Sequence, residues 1–346
     1  MVELKITKRF LSNLSLAASF FALGVIALGA FTRLIDAGLG CPDWPGCYGH
    51  LAVPTTESAT QLALNYPGSH LTAYKAWAEM IHRYFVGGLS LFILSIVAII
   101  FSQKILRVRY NIILATTLIL LLVYQILLGQ WTVTLKLLPI IVTQHLLGGF
   151  FILSTLWLIY LGNNQALEKR LRGHAVKAII FGALGALIIL LLQISLGAWT
   201  STNYASLSCP DFPFCMNDQT VIMHFKEAFT LFTPIGVNYE GGVLPDAIRQ
   251  TIQMAHRFGA LILTSYLFLL MIFSSLKLKR LPELLKSLYV VLGLLCVQLC
   301  IGISNVIFKL PLITAISHNL VAVLLLLAMI TLIYKLVVTN RKVSEV

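Results

Sequence analysis

Eight stretches of roughly twenty apolar residues leave this chain few ways to fold, because ~20 residues of helix cross a bilayer core of ~30 Å. They run approximately Ser12–Thr32, Trp77–Phe101, Ile112–Trp131, Ile140–Leu161, Ala178–Thr200, Thr251–Phe273, Leu288–Phe308 and Leu312–Tyr334. In hydrocarbon every backbone N–H and C=O must find a partner within the chain, and a helix supplies its own. The expectation is an all-α integral membrane protein with eight transmembrane helices. Composition agrees, with 58% hydrophobic and only 11% charged residues, where a soluble domain carries about 25% charged.

Charge sets the orientation. With the N-terminus in the cytoplasm, the inside segments hold 17 of the 25 Lys and Arg, from Lys5, Lys8 and Arg9 to Lys335, Arg341 and Lys342. The two longest loops nevertheless lie on the other side. The positive-inside bias therefore places both termini in the cytoplasm. The net charge of +12 follows from that bias and from anionic headgroups. Nucleic acid binding would need a soluble basic face, which is missing. Basic residues ahead of an apolar run that ends near Ala27–Ala30 could pass for a cleaved signal peptide. The run is long for that role and belongs to a repeat, so a retained helix is expected.

The chain is an internal duplication. Gly29-Ala30-Phe31-Thr32 and Cys41-Pro42-Asp43-Trp44-Pro45-Gly46-Cys47 recur 168 positions on, as Gly197-Ala198-Trp199-Thr200 and Cys209-Pro210-Asp211-Phe212-Pro213-Phe214-Cys215. Glu79-Met80-Ile81-His82-Arg83 matches Gln253-Met254-Ala255-His256-Arg257. Gln125, Gly129 and His145 match Gln298, Gly302 and His318. Residues 1–168 and 169–346 thus read as two four-helix repeats. An even number of spans per repeat makes them parallel, related by an axis along the membrane normal, unlike the inverted repeats of many transporters.

His82, His145, His256 and His318 each lie about one turn inside the outer end of an even-numbered span, roughly 8 Å deep at ~1.5 Å per residue. Neutral imidazole is an axial ligand for haem iron, and bundle interiors are where such cofactors sit. Two matched pairs at one depth favour haem over four separate interhelical hydrogen bonds. Zinc would need three or four ligands on one point. Arg83 and Arg257 follow two of the histidines, and arginine is the best match for haem propionates. Arg33, at the end of the first span, serves equally well as a residue snorkelling to headgroups.

Glu79 stands one turn before His82 on the same helix face; its counterpart is the uncharged Gln253. An acid at that depth is costly and marks function, here proton transfer. An ion pair with Arg83 or a charge favoured by the helix dipole are the alternatives. The first half therefore reads as reactive and the second as electron-transferring or structural. Cys41/Cys47 and Cys209/Cys215 lie in outer loops, where an oxidising compartment favours two local disulfides. Such short loops gain little chain entropy, so a redox role is a hypothesis for the first pair and a loop staple for the second. A four-cysteine zinc site lacks the usual spacing. Cys296 and Cys300 are expected to pack as small apolar residues. His50, His70, His174 and His224 carry no assigned role. The loops of about 33–76 and 201–250 are expected to cover the sites, with Asn65–Tyr74 and Val221–Phe232 as short interfacial helices.

Gly29-Ala30-Phe31-Thr32-Arg33, Gly38-Leu39-Gly40-Cys41-Pro42-Asp43-Trp44-Pro45 and Glu79-Met80-Ile81-His82-Arg83, with the paired later histidines, resemble the haem A synthase family over essentially the whole chain. The resemblance implies a pseudo-twofold bacterial inner-membrane protein that oxidises a methyl group of haem O to the formyl group of haem A. It implies haem b bound by His256 and His318, substrate haem O between His82 and His145, and an essential Glu79. It also matches a subgroup in which the first cysteine pair is disulfide-linked and tied to activity. A haem O synthase and an electron donor are the partners it suggests. The rival reading is a haem-b electron-transfer subunit of the quinone oxidoreductase type, with two permanent haems. A haem carrier without chemistry is a third.

Overall fold

The computed structural model describes residues 2–55, 66, 70–164, 176–215 and 222–344. Among them eight helices are long and apolar enough to cross a membrane. They are α1 (Val2–Leu34), α2 (Ala73–Ser102), α3 (Arg109–Thr134), α4 (Pro139–Asn163), α5 (Lys177–Thr202), α6 (Asp246–Leu278), α7 (Pro282–Ile307) and α8 (Leu312–Ser344). Every expected span lies within one of them, except that Phe308 falls just past the end of α7. Helices α1, α6 and α8 run well beyond the apolar stretch, because Lys, Arg, Glu and Gln are good helix formers and the helix need not stop where hydrocarbon does. Proline opens α4 and α7, where its missing N–H costs nothing.

The C-terminal ends of α1, α3, α5 and α7 close in one way. The N–H groups of Ala37, Leu137, Ala205 and Leu310 bond the carbonyls of Thr32 (2.9 Å), Thr132 (2.8 Å), Thr200 (2.9 Å) and Asn305 (2.7 Å), the six-to-one bond of a Schellman cap. The residues before them, Asp36, Lys136, Tyr204 and Lys309, have φ of 52°, 48°, 54° and 55°. Left-handed backbone is uncommon outside glycine; here it recurs at the positions the duplication pairs.

Packing repeats as well. Within the first half α1 meets α2, α2 meets α3, α3 meets α4 and α4 meets α1; α5 to α8 form the same ring. Across the join α4 meets α5, α8 meets α1, and α4 meets α8. Residues that the duplication pairs also touch each other there. The Arg33 guanidinium donates to the Ser201 carbonyl (2.6 Å), and the Tyr204 hydroxyl donates to Asp36 (2.8 Å). Each contact joins a residue to its own repeat 168 positions on, as happens when two copies of one surface meet. Arg33 also lies 3.9 Å over the Tyr204 ring. Burial raises the Tyr204 pKa, so its hydroxyl stays a donor. Toward the opposite end, the Trp157 indole N–H donates to Thr331 Oγ1 across the same join (2.8 Å).

Phe20, Leu91, Leu120, Phe181, Leu192 and Leu269 are all more than 60% exposed. Apolar surface on that scale needs lipid around it. Of the two expected interfacial helices, the second is corrected. In Asn65–Tyr74, residues 65 and 67–69 lie outside the described residues; among the described ones only Ala73 and Tyr74 are helical, as the start of α2. In Val221–Phe232, of which Val221 lies outside them, helix is confined to the turn Phe225–Ala228. The Ala228 carbonyl is taken by the Trp199 indole N–H (2.8 Å) instead of by a following turn.

Trp157→Phe removes one hydrogen bond across the join, while Thr331 keeps its bond to the Leu327 carbonyl. The expected cost is about 1 kcal/mol, read by denaturation in mixed micelles.

Candidate functional site: two histidine pairs under cysteine loops

His82 on α2 and His145 on α4 face a cavity of about 670 Å³ inside the first ring of helices. Glu79, Arg83 and Gln125 line it, as do Trp44, Pro45 and Leu51 from the loop above. Arg33, Ser201, Thr202 and Asn319 also reach it, so α5 and α8 of the second half complete its wall. The buried Nδ1 atoms of His82 and His145 have no hydrogen-bond partner.

Glu79 is 5% exposed, and both its oxygens are engaged. Oε2 accepts the Cys41 backbone N–H (2.9 Å), and Oε1 pairs with Arg83 Nη2. Arg83 Nη1 donates to the carbonyls of Asp43 (3.0 Å), Pro45 (3.1 Å) and Gly46. Asp43 in turn accepts the N–H groups of Tyr48 (2.6 Å) and Gly49 (2.7 Å). Cys41 and Cys47 close this loop as a disulfide, and Cys209 and Cys215 close its counterpart. All four loop cysteines are thereby consumed, which removes the zinc alternative. Gly46 leaves no room for a side chain, since an added Cβ would stand 2.5 Å from the His50 carbonyl oxygen.

In the second half His256 on α6 and His318 on α8 stand with ring centroids 6.5 Å apart and planes at 79°. Arg257 Nη1 donates to the carbonyls of Asp211 (2.7 Å), Pro213 (3.2 Å) and Phe214 (2.9 Å), repeating the Arg83 cage. Its Nη2 donates to the Cys209 carbonyl (2.9 Å), where Arg83 instead meets the acid. Gln253 donates to the Ser206 carbonyl (3.3 Å). One substitution, acid for amide, thus rewires the hydrogen bonds under an otherwise repeated loop. The sequence directs Arg83 and Arg257 at propionates; the structure gives most of their donors to the cysteine loops, with Arg257 Nε buried and unpartnered.

Glutamines beside the rings add a second inequality. Gln193 Nε2 donates to the His256 carbonyl (3.0 Å) and lies 3.1 Å from its Nδ1. Gln298 Nε2 lies 3.3 Å from His318 Nε2. In the first half Gln125 donates only to the His145 carbonyl (2.9 Å), and the position matching Gln193 is Val25. Gln193 has no role in the sequence expectations; its polarity deep in an apolar span was the available signal.

Cys296 and Cys300 are exposed on α7, a correction to their expected packing. The buried stripe of that helix runs through Leu284, Leu288, Val291 and Leu295, and both cysteines fall to one side of it. His50 pairs with Cys47 in an isolated bridge at the loop surface. His70 is exposed and His224 half-buried. His174 lies outside the described residues.

Fold and site together define an eight-span membrane protein with a duplicated histidine-pair site, acidic in one copy. The chain belongs to the COX15-CtaA family of cytochrome oxidase assembly proteins, whose model matches residues 12–330. It is 43% identical to the heme A synthase of Shewanella oneidensis over 331 residues, covering 94% of this chain and 96% of that one. Similarity extends to the heme A synthases of Bacillus licheniformis, 26% identical over 89% of this chain and 90% of that one, and Bacillus pumilus, 25% identical over 88% of each.

Arg83→Lys keeps the charge but not the forked donors. It is expected to cost about 1–3 kcal/mol and to make the 41–50 loop susceptible to proteolysis in the oxidised protein, which a protease time course reads.

Proposed function

We propose that this protein is a haem A synthase, oxidising a methyl group of haem O to the formyl group of haem A. The observation that carries the reading is the inequality of two repeated sites: Glu79 lines a cavity with His82 and His145, while Gln253 takes its place beside His256. Relatives named heme A synthase over nearly the whole chain support it.

Substrate haem O lies between His82 and His145, in the 1–168 half. His256 and His318 hold haem b in the 169–346 half. Their 6.5 Å centroid separation suits two imidazoles on one iron at metal–nitrogen distances of about 2 Å. The orphaned Arg257 Nε suits a propionate, with Arg83 as its counterpart. Methyl to formyl takes one oxygen atom, from water or dioxygen, and releases four electrons and, from water, four protons; haem b would supply one-electron transfer beside the substrate. Glu79 receives a proton leaving the reacting carbon, each carboxylate oxygen keeping a lone pair beyond its present bond. Arg83 holds the cysteine loop over the cavity and excludes water. The Cys41–Cys47 disulfide fixes the Cys41 N–H on Glu79, which links the redox state of that pair to the acid. Both termini face the cytoplasm of a bacterial inner membrane and the haem sites face outward. A haem O synthase supplies substrate, and a separate redox partner exchanges electrons with haem b.

The test is expression with a haem O source, followed by analysis of the extracted haems. Native chain yields haem A, and Glu79→Gln, isosteric and tolerated at position 253, lowers it about 100-fold or more. Absence of haem A from folded, haem-loaded native protein would sink the reading. His256→Ala is expected to lose haem b and retain haem O, and His82→Ala to do the reverse, read by haem extraction from the purified variants.

A further inference from the structure

Four glycines stand opposite the four histidines. An ideal Cβ built on Gly29 of α1 would lie 3.0 Å from Cε1 of His82; on Gly197 of α5, 3.0 Å from Cε1 of His256; on Gly302 of α7, 3.0 Å from Cε1 of His318. On Gly129 of α3 it would lie 3.5 Å from Cε1 of His145. At each the nearest atoms belong to the imidazole. Other helical glycines differ: Gly88 meets Phe21, Gly182 meets Leu270, Gly185 meets Tyr266, and Gly24 and Gly293 meet nothing. Carbon atoms rest at about 3.5–4.0 Å, so a methyl group at three of the four positions would push a ring aside. Glycine is also a poor residue for a helix interior, and four such residues at matching places need a reason.

We propose that Gly29, Gly129, Gly197 and Gly302 are positioning residues for the haem ligands: each leaves a notch in an odd-numbered helix that sets where the imidazole on the following helix stands. The inference rests on the proposed haem sites and adds the device that holds their ligands. A ring backed by helix at a fixed distance cannot slide toward its neighbour. Outer-shell groups that orient a ligand commonly change metal affinity about 10–100-fold. The rule is the same in both halves, so the notch is part of the duplicated unit, whereas Glu79 and the glutamines are what distinguish its copies.

The experiment uses full-length protein purified without a haem O source, so that haem b alone is followed. Gly197→Ala and Gly302→Ala are compared with Gly182→Ala, which crowds Leu270 at the same α5–α6 join, and with Gly293→Ala, which crowds nothing. Retained haem and the low-spin absorption and electron paramagnetic resonance signals are read. The expected result is about 10-fold weaker haem retention and a shift from low-spin to high-spin in the first two variants, with both controls like the native chain. Native spectra and full haem in Gly197→Ala and Gly302→Ala would overturn the proposal. So would equal loss in Gly182→Ala, which would make the effect one of helix packing. If either variant does not fold, Gly129→Ala, the least crowded of the four, is followed in haem O-loaded protein for a smaller shift in the same direction; an unshifted spectrum there also overturns it. Haem b retained by the His256→Ala variant would instead defeat the underlying haem-site reading.

Discussion

Within hydrocarbon there is no water to satisfy a polar group, and each one left alone costs several kcal/mol. The whole molecule follows from that constraint. It makes the spans helical, and it makes any polar side chain within them something to be accounted for. Lower in the bundle the accounting is local: Asn111 and Asn163 bond each other between α3 and α4, and Trp157 bonds Thr331. Near the other end it is incomplete. The histidines keep unpartnered nitrogens around a cavity, as a site does when it is shaped for something besides protein.

Arg83 and Arg257 show how a membrane protein can hold a loop over such a site. One guanidinium, rooted beside a histidine, gathers three carbonyls of a seven-residue cysteine loop. Loop and histidine are then parts of one rigid piece. Where the second repeat spends the other nitrogen of Arg257 on the Cys209 carbonyl, the first spends it on Glu79. The acid is thus tied at once to the arginine, to the disulfide loop through the Cys41 N–H, and to the cavity. Duplication supplied two equivalent frames, and one charged residue made their hydrogen bonds differ.

Much of this was legible beforehand. The spans and the matched motifs came from hydropathy and spacing, which depend only on local sequence. The histidine pairs and the Glu79–Gln253 difference came from aligning the chain with itself. The arginines were legible as residues but not in their contacts, because their partners are backbone carbonyls of a loop some forty residues away and carbonyls have no sequence signature. Gln193 went unremarked since its meaning lies in His256, on another helix. The helix expected at Val221–Phe232 shrank to one turn for a related reason. An amphipathic pattern does not show that Trp199 takes the carbonyl on which Phe225–Ala228 ends.

Sequence alone determined that the chain is helical, membrane-spanning, duplicated, and provided with two matched pairs of histidines, because burial in lipid and a repeated pattern act residue by residue. Only the tertiary structure decided which groups meet: that Arg33 and Ser201, equivalent residues, close the join; that Asn319 of the second half lines the cavity of the first; that each histidine rests against a glycine. Those facts depend on the rotation and depth of one helix against another. They are fixed by packing across the bundle and by no single segment.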